Sequence, residues 1–167
     1  MSAIEDAMSQ TVTTIWESII GTEIRPADVP PTDDAREPAF VGCIHVTGPE
    51  GGVVTLECSA ALAAETASAM FQIPQAQVGV SEAQDALGEL TNIMGGNFKA
   101  MLSDGHHLSL PTVVEGSDFR TKFIGTLLAA RVGFDCAGRY VVASFYRDGV
   151  SATSRETRRQ ARTVTVH

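Results

Sequence analysis

Cysteine is scarce in this chain. Cys43, Cys58 and Cys136 are odd in number, and no two of them form a C-x-x-C pair. A disulfide framework or a cysteine-rich metal site is therefore excluded. Each lies in an apolar run with strand character, so buried, reduced thiols are expected. Long hydrophobic runs are absent too. No stretch approaches the roughly 18 apolar residues that span a bilayer. Basic residues are missing where a signal peptide would carry them, since Glu5 and Asp6 stand there instead. These absences point to a soluble cytoplasmic protein. There is no G-x-S-x-G, no H-E-x-x-H and no phosphate-cradling glycine loop. Gly48–Gly52 is too short for such a loop and leads into a strand rather than a helix. His106-His107 could bind a metal, but no third ligand stands at useful spacing, so no metal site is expected. Internal repeats and low-complexity tracts are also lacking.

What is present is an ordinary globular composition with an acidic bias. The chain has 167 residues, 44% hydrophobic and 19% charged, enough for one domain with a sizeable core. The formal net charge is −8. Arg155, Arg158, Arg159 and Arg162 against Glu156 give residues 151–167 a net +3, which leaves −11 for the rest. A body this acidic repels nucleic acid and anionic membranes and favours partners with exposed Lys or Arg. Residues 1–150 are read as one domain, and 151–167 as a basic, frayed tail.

Periodicity places the elements. Residues 3–20 read as a helix with Ile4, Ala7, Met8, Val12, Ile15, Trp16 and Ile19 on its apolar face, ended by Gly21. Residues 25–38 hold four prolines and several acids and read as a surface loop. Phe40–Thr47 and Val53–Cys58 are strands, paired as a hairpin through the Gly-Pro-Glu-Gly-Gly turn. Residues 59–71 are an Ala-rich helix capped by Ser59 and closed by Pro74. Leu108–Glu115 is a strand whose Pro111 marks an edge or a bulge. Phe119–Phe123 is a short strand, and Thr126–Asp135 and Tyr140–Arg147 pair through Ala137-Gly138. Strands in adjacent pairs with grouped helices predict an α+β fold: an antiparallel sheet of five to six strands with helices on one face.

The remaining segment, Ser81–Leu102, is the informative one. Ala83, Leu87, Leu90, Met94, Phe98 and Met101 recur at helical spacing. Ser81 and Gln84 form a capping-box pattern that would start the helix, and Asp104-Gly105 would stop it. Asp85, Glu89, Asn92 and Lys99 fall on the opposite stripe, and Glu89 and Asn92 project side by side. A carboxylate beside a carboxamide can grip a cation and position a water. Gly95 and Gly96 in mid-helix cost about 1 kcal/mol each against alanine, so something must compensate. Packing is expected at Gly95. At Gly96, either packing or clearance for a docking partner would serve. Asn97 is expected to face the apolar side as a hydrogen-bonded buried group. Lys99 is expected to be a helix-surface lysine, and His45 to face solvent.

Glu89-Leu90-Thr91-Asn92 resembles the E-x-x-N signature of the CheC/CheX/FliY chemotaxis phosphatases. Asp85, Gly96-Asn97 and the Leu110–Val113 run also fit that pattern, and the element order over residues 1–148 resembles the CheX branch. The second helix offers only Glu65-Thr66-Ala67-Ser68, with serine in place of asparagine, so one site per chain is implied. Pro111 lies closer to Asn92 than the family's proline does, and the arginine tail has no counterpart. The resemblance implies hydrolysis of the aspartyl phosphate of a CheY-type response regulator in a two-component signalling circuit. It also implies a homodimer. Glu89 and Asn92 would be the catalytic pair, with Asp85 and Gly96 in the partner-binding surface. The chain would bring no cofactor of its own, because the Mg²⁺ ion would be carried by the regulator. The alternative is a non-catalytic signalling module that binds a receiver domain or a flagellar-switch component.

Overall fold

The computed structural model describes residues 1–28, 39–116 and 123–149. Helix α1 (Ala3–Ile15) begins at Ser2, whose hydroxyl accepts from Glu5 N while Glu5 accepts from Ser2 N. It widens into a π-turn over Trp16–Ile20 and stops at Gly21, which takes the left-handed φ of +75°. Met8, Val12, Ile15 and Trp16 are buried, and Ile19 is exposed.

Among the described residues seven antiparallel strands form one sheet, one or two more than the pattern predicts. Strands β2 (Ala39–Thr47) and β3 (Gly52–Ser59) are the expected hairpin, with Ile44 opposite Val54. Helix α2 (Ala60–Phe71) follows, its first turn capped by Ser59 Oγ accepting from Leu62 N. Helix α3 runs from Val80 to Ala100. Strands β4 (His107–Leu108) and β5 (Thr112–Gly116) both line the outer edge of β2. Pro111 falls between them, where its missing N–H interrupts the ladder at a sheet edge. Strands β6 (Thr126–Cys136) and β7 (Arg139–Asp148) close the chain. They turn through Ala137 and Gly138, both at positive φ, as a two-residue hairpin matching the sheet twist requires.

One expectation fails at the start of the proline-rich stretch. Arg25–Ala27 is not loop but strand β1, paired with Gly133–Asp135 of β6. A proline is tolerated there because β1 is the outermost strand and half its backbone groups face away from the sheet. The rest of that loop (29–38), most of the expected strand at Phe119–Phe123 and the arginine tail from residue 150 onward lie outside the described residues.

The sheet order is β1-β6-β7-β3-β2, with β4 and β5 beyond. The three helices pack on one face, where Phe40, Ile44, Val54, Leu56, Phe134, Val141 and Phe145 join the buried side chains of the helices in one core. The opposite face has a smaller cluster of Val41, Cys43 and Val53, packed by Phe123 and Tyr146. All three cysteines are buried and free. Burial pushes the Cys43 thiol up to about 11 and the Cys58 thiol up to about 12, so both are unreactive at neutral pH.

Candidate functional site

Helix α3 is seated first by its apolar stripe. Ala83, Leu87, Leu90, Met94 and Phe98 are all at most 3% exposed. Burial of each large side chain is worth about 1.5–3 kcal/mol. Phe98 stacks obliquely on Phe145, ring centres 4.4 Å apart. The sixth member of the stripe, Met101, is exposed, as is Ala100, because the helix ends there.

Two glycines bring α3 close to the sheet. A Cβ on Gly42 of β2 would lie 2.0 Å from Thr91 Oγ1, and one on Gly95 would lie 2.8 Å from Ile44 Cγ2. Gly95 is therefore the packing glycine expected from its cost in mid-helix. Thr91 is fully buried and its hydroxyl donates to Leu87 O at 2.7 Å, so no polar atom is stranded at the contact. Gly42 was not visible as a site residue. A lone glycine inside a strand run was the signal, since such a residue marks a close backbone approach.

The start of α3 differs from the capping box expected at Ser81 and Gln84. The helix begins at Val80, and Glu82 Oε2 accepts from Gly79 N at 2.9 Å. Ser81 already lies within the first turn. The carboxylate of Glu82 reaches the free N–H one residue before the helix, which moves the start forward. At the other end Met101 N and Leu102 N turn back to Phe98 O and Lys99 O, and the chain reverses through Gly105 at φ +93°.

The outward stripe is as the spacing predicts. Asp85, Glu89, Asn92, Gly96 and Lys99 are all exposed. Successive spacings of four, three, four and three residues set them in one row along the helix. Among the described residues none of Asp85, Glu89, Asn92 and Lys99 has a side-chain hydrogen bond or ion pair. A Cβ at Gly96 would meet nothing within 4 Å, so this glycine is open surface rather than a packing contact. Asn97 contradicts its expectation: it is exposed, not buried. In the last turn only Phe98 still reaches the sheet, so the buried face is too narrow to include its neighbour.

The rest of the candidate chemistry is accounted for structurally. His106 is buried: its Nδ1 faces Ser103 O at 2.6 Å, and its Nε2 accepts from Glu50 N at 3.2 Å. That pairing requires the Nδ1–H tautomer and makes the ring a brace between two loops. His45 and His107 face outward. Among the described residues no three His, Cys, Asp or Glu side chains gather to hold a metal ion. No described helix is long and apolar enough to cross a membrane. On α2, Glu65 pairs with Arg139 and Ser68 Oγ donates to Ile73 O at 2.7 Å, so neither side chain of this degenerate pair is free. Among the described residues the one unengaged carboxylate–carboxamide pair at E-x-x-N spacing is on α3.

A seven-stranded antiparallel sheet with this helix across it is the arrangement that comparison with known proteins decides. The family model described as chemotaxis phosphatase CheX matches residues 40–132, more than half of the chain. The chain belongs to the CheX family. The matched span covers β2 from its second residue, β3, α2 and all of α3. No curated protein sequence matches the chain. Among solved structures, the chemotaxis protein CheX from Vibrio vulnificus is 17% identical, with a TM-score of 0.71 over 88% of this chain and 97% of that one. CheX from Desulfovibrio desulfuricans is also 17% identical, with a TM-score of 0.71 over 88% of this chain and 100% of that one. CheX from Borrelia burgdorferi, solved as a CheX–CheY–BeF3–Mg²⁺ complex, is 13% identical, with a TM-score of 0.60 over 86% and 96% of the two chains. At such identities the likeness is one of fold. The CheX fold here is α+β, with all three helices on one face of the sheet.

Proposed function

We propose that the protein is a cytoplasmic hydrolase that removes the aspartyl phosphate of a CheY-type response regulator. The observation that carries this reading is the pair Glu89 and Asn92, exposed and unpaired on a rigidly seated helix of a CheX-family chain. The Borrelia relative was solved with CheY, beryllofluoride and Mg²⁺, which supports a receiver domain as the partner.

The chemistry is divided between two proteins. The regulator supplies the acyl phosphate, the Mg²⁺ ion and a lysine facing the phosphoryl group. Phosphoryl transfer needs positioning and charge stabilisation more than covalent help. What remains to be supplied is an oriented water. The Asn92 amide oxygen accepts from that water, while its NH₂ donates to a phosphoryl oxygen. The water's oxygen attacks phosphorus, the P–O bond to the aspartyl carboxylate breaks, and free carboxylate and inorganic phosphate result. Glu89, one turn earlier, pairs with the regulator's lysine and sets the depth at which Asn92 enters. Asp85, a further turn back, meets the rim, and Gly96 leaves clearance on the other side.

The test mixes the protein with radiolabelled phospho-regulator and Mg²⁺ and times the decay with wild type, Asn92→Ala and Glu89→Lys. Accelerated decay that disappears in Asn92→Ala with binding retained supports catalysis. Binding without accelerated decay would identify a non-catalytic receiver-binding module instead. Glu89→Lys places like charges in contact and should raise KM at least about tenfold, with the loss largest at low salt. Normal binding by that variant would remove Glu89 from the proposed role.

Two chains are proposed to pair, giving one site on each half of a homodimer. Exposed Ile124 in the turn before β6, with Leu127 and Leu128 at its start, supplies apolar surface for such a contact. Sedimentation equilibrium should therefore show twice the chain mass of 17.7 kDa. A monomer at every concentration would count against the pairing.

A further inference from the structure

We infer that Lys99 is a specificity residue of the docking surface, and that it takes a carboxylate side chain of the receiver at a second contact beyond Asn92. The inference rests on the receiver-phosphatase reading above and adds a second, oppositely charged anchor to it.

The row on α3 changes sign along its length. Asp85 and Glu89 are acidic, Asn92 and Gly96 carry no charge, and Lys99 is cationic. Lysine is rare in this chain, which has only Lys99 and Lys122. Among the described residues the other cations are arginines. Arg25 is bridged to Glu23 and Arg139 to Glu65, Arg131 lies within the field of Glu57, and Arg147 is exposed near the end of β7, away from the row on α3. Lys99 has no ion pair with a described residue, although the protein is acidic.

Its surroundings are shaped. Past the open surface of Gly96 the helix end and the following turn border a shallow, open hollow of about 410 Å³, lined by Gly96, Lys99, Ala100, Leu102, Ser103 and Asp104. The turn that makes its far wall is held by His106, which is pinned to Ser103 O on one side and to Glu50 N on the other. Asp104 lines the same hollow but forms no bridge to Lys99. That carboxylate disfavours a small free anion, which would feel both charges at close range.

Geometry gives the partner's pattern. Lys99 lies seven residues beyond Asn92, so about 10 Å farther along the axis at 1.5 Å per residue. Glu89 lies about 4.5 Å from Asn92 in the other direction. A matching receiver presents a cation on one side of its acyl phosphate and an acid about 10 Å away on the other. Two contacts of opposite sign fix the direction in which the helix is laid down, and a receiver with a basic residue at the second position is repelled.

The experiment measures steady-state dephosphorylation of the receiver that wild type hydrolyses fastest. It uses the full chain with Lys99→Gln and Lys99→Glu, at ionic strengths of about 0.02 and 0.3 M, where screening is weak and strong. Because a rim charge acts on encounter and not on the reacting atoms, KM should rise about threefold in Lys99→Gln and about tenfold in Lys99→Glu at low salt, with kcat within twofold. The increase should shrink at high salt, and melting should be unchanged because Lys99 is exposed. Reversing receiver acids to lysine one at a time should find one substitution that restores Lys99→Glu. Wild-type KM and salt dependence in Lys99→Glu, or failure of every reversal to rescue it, would overturn the inference while leaving Asn92 and Glu89 in place. A wild type that neither binds nor acts on any receiver would overturn both readings.

Discussion

Asn92→Ala is expected to abolish the acceleration of phospho-receiver decay, lowering kcat about a hundredfold or more, the scale seen when one donor to a developing oxyanion is lost. The side chain is exposed and has no hydrogen bond to a described residue, so its removal strands no buried partner. Melting temperature should stay within about two degrees of wild type, since surface changes away from such features are usually worth under about 0.5 kcal/mol. Binding to a beryllofluoride-activated receiver should fall only a few fold. Asn92→Asp is a stricter comparison. It keeps the shape but loses the NH₂ donor and sets a negative charge against the phosphoryl group, so it should be as inactive as alanine. Asn92→Gln keeps the functional group one methylene farther out. Misplacement of about 1 Å can cost up to about a hundredfold, so partial activity is expected. Undiminished decay with the alanine variant would remove Asn92 from the chemistry.

Gly42→Ala is expected to damage stability and activity together, from a residue on the far side of α3 from the partner. The added methyl carbon would lie 2.0 Å from Thr91 Oγ1 and 3.0 Å from Thr91 Cβ. Strand β2 cannot retreat, because Gly42 is paired with Leu56 of β3 on one side and Val113 of β5 on the other. Helix α3 must move outward or the sheet must buckle. Overpacking of this kind costs about 1–3 kcal/mol, and occasionally more. For a domain of this size that lowers the melting temperature by roughly 2–4 °C per kcal/mol. Displacement of α3 also shifts Asn92, the residue that follows Thr91, and kcat should fall more than KM rises. Gly42→Ala combined with Thr91→Ala should recover part of the loss, because the second change removes the Oγ1 and Cγ2 atoms that crowd the new methyl. Thermal melts of the single and double variants check this, and wild-type melting of Gly42→Ala would show that the helix approaches less closely than 2.0 Å implies.

Periodicity by itself determined the helices and most strands, because a period of 3.6 or 2 is written in consecutive residues. It also determined that Asp85, Glu89, Asn92 and Lys99 share the outward row of α3, since a helix turned to bury Leu87, Leu90, Met94 and Phe98 has no other way to present them. The resemblance at Glu89–Asn92 pointed to the family that the match over residues 40–132 shows. Only the tertiary structure decided the features made by residues distant in sequence. These are the notch of Gly42 over Thr91, the pairing of Arg25–Ala27 with β6 and the brace from His106 to Glu50. Asn97 and the Gly79–Glu82 start belong with them, because helix ends are set by where packing runs out and which free N–H finds an acceptor. Periodicity specifies a direction around a helix axis. How close that axis lies to its neighbours is set by contacts across the chain, and that distance controls where Asn92 stands.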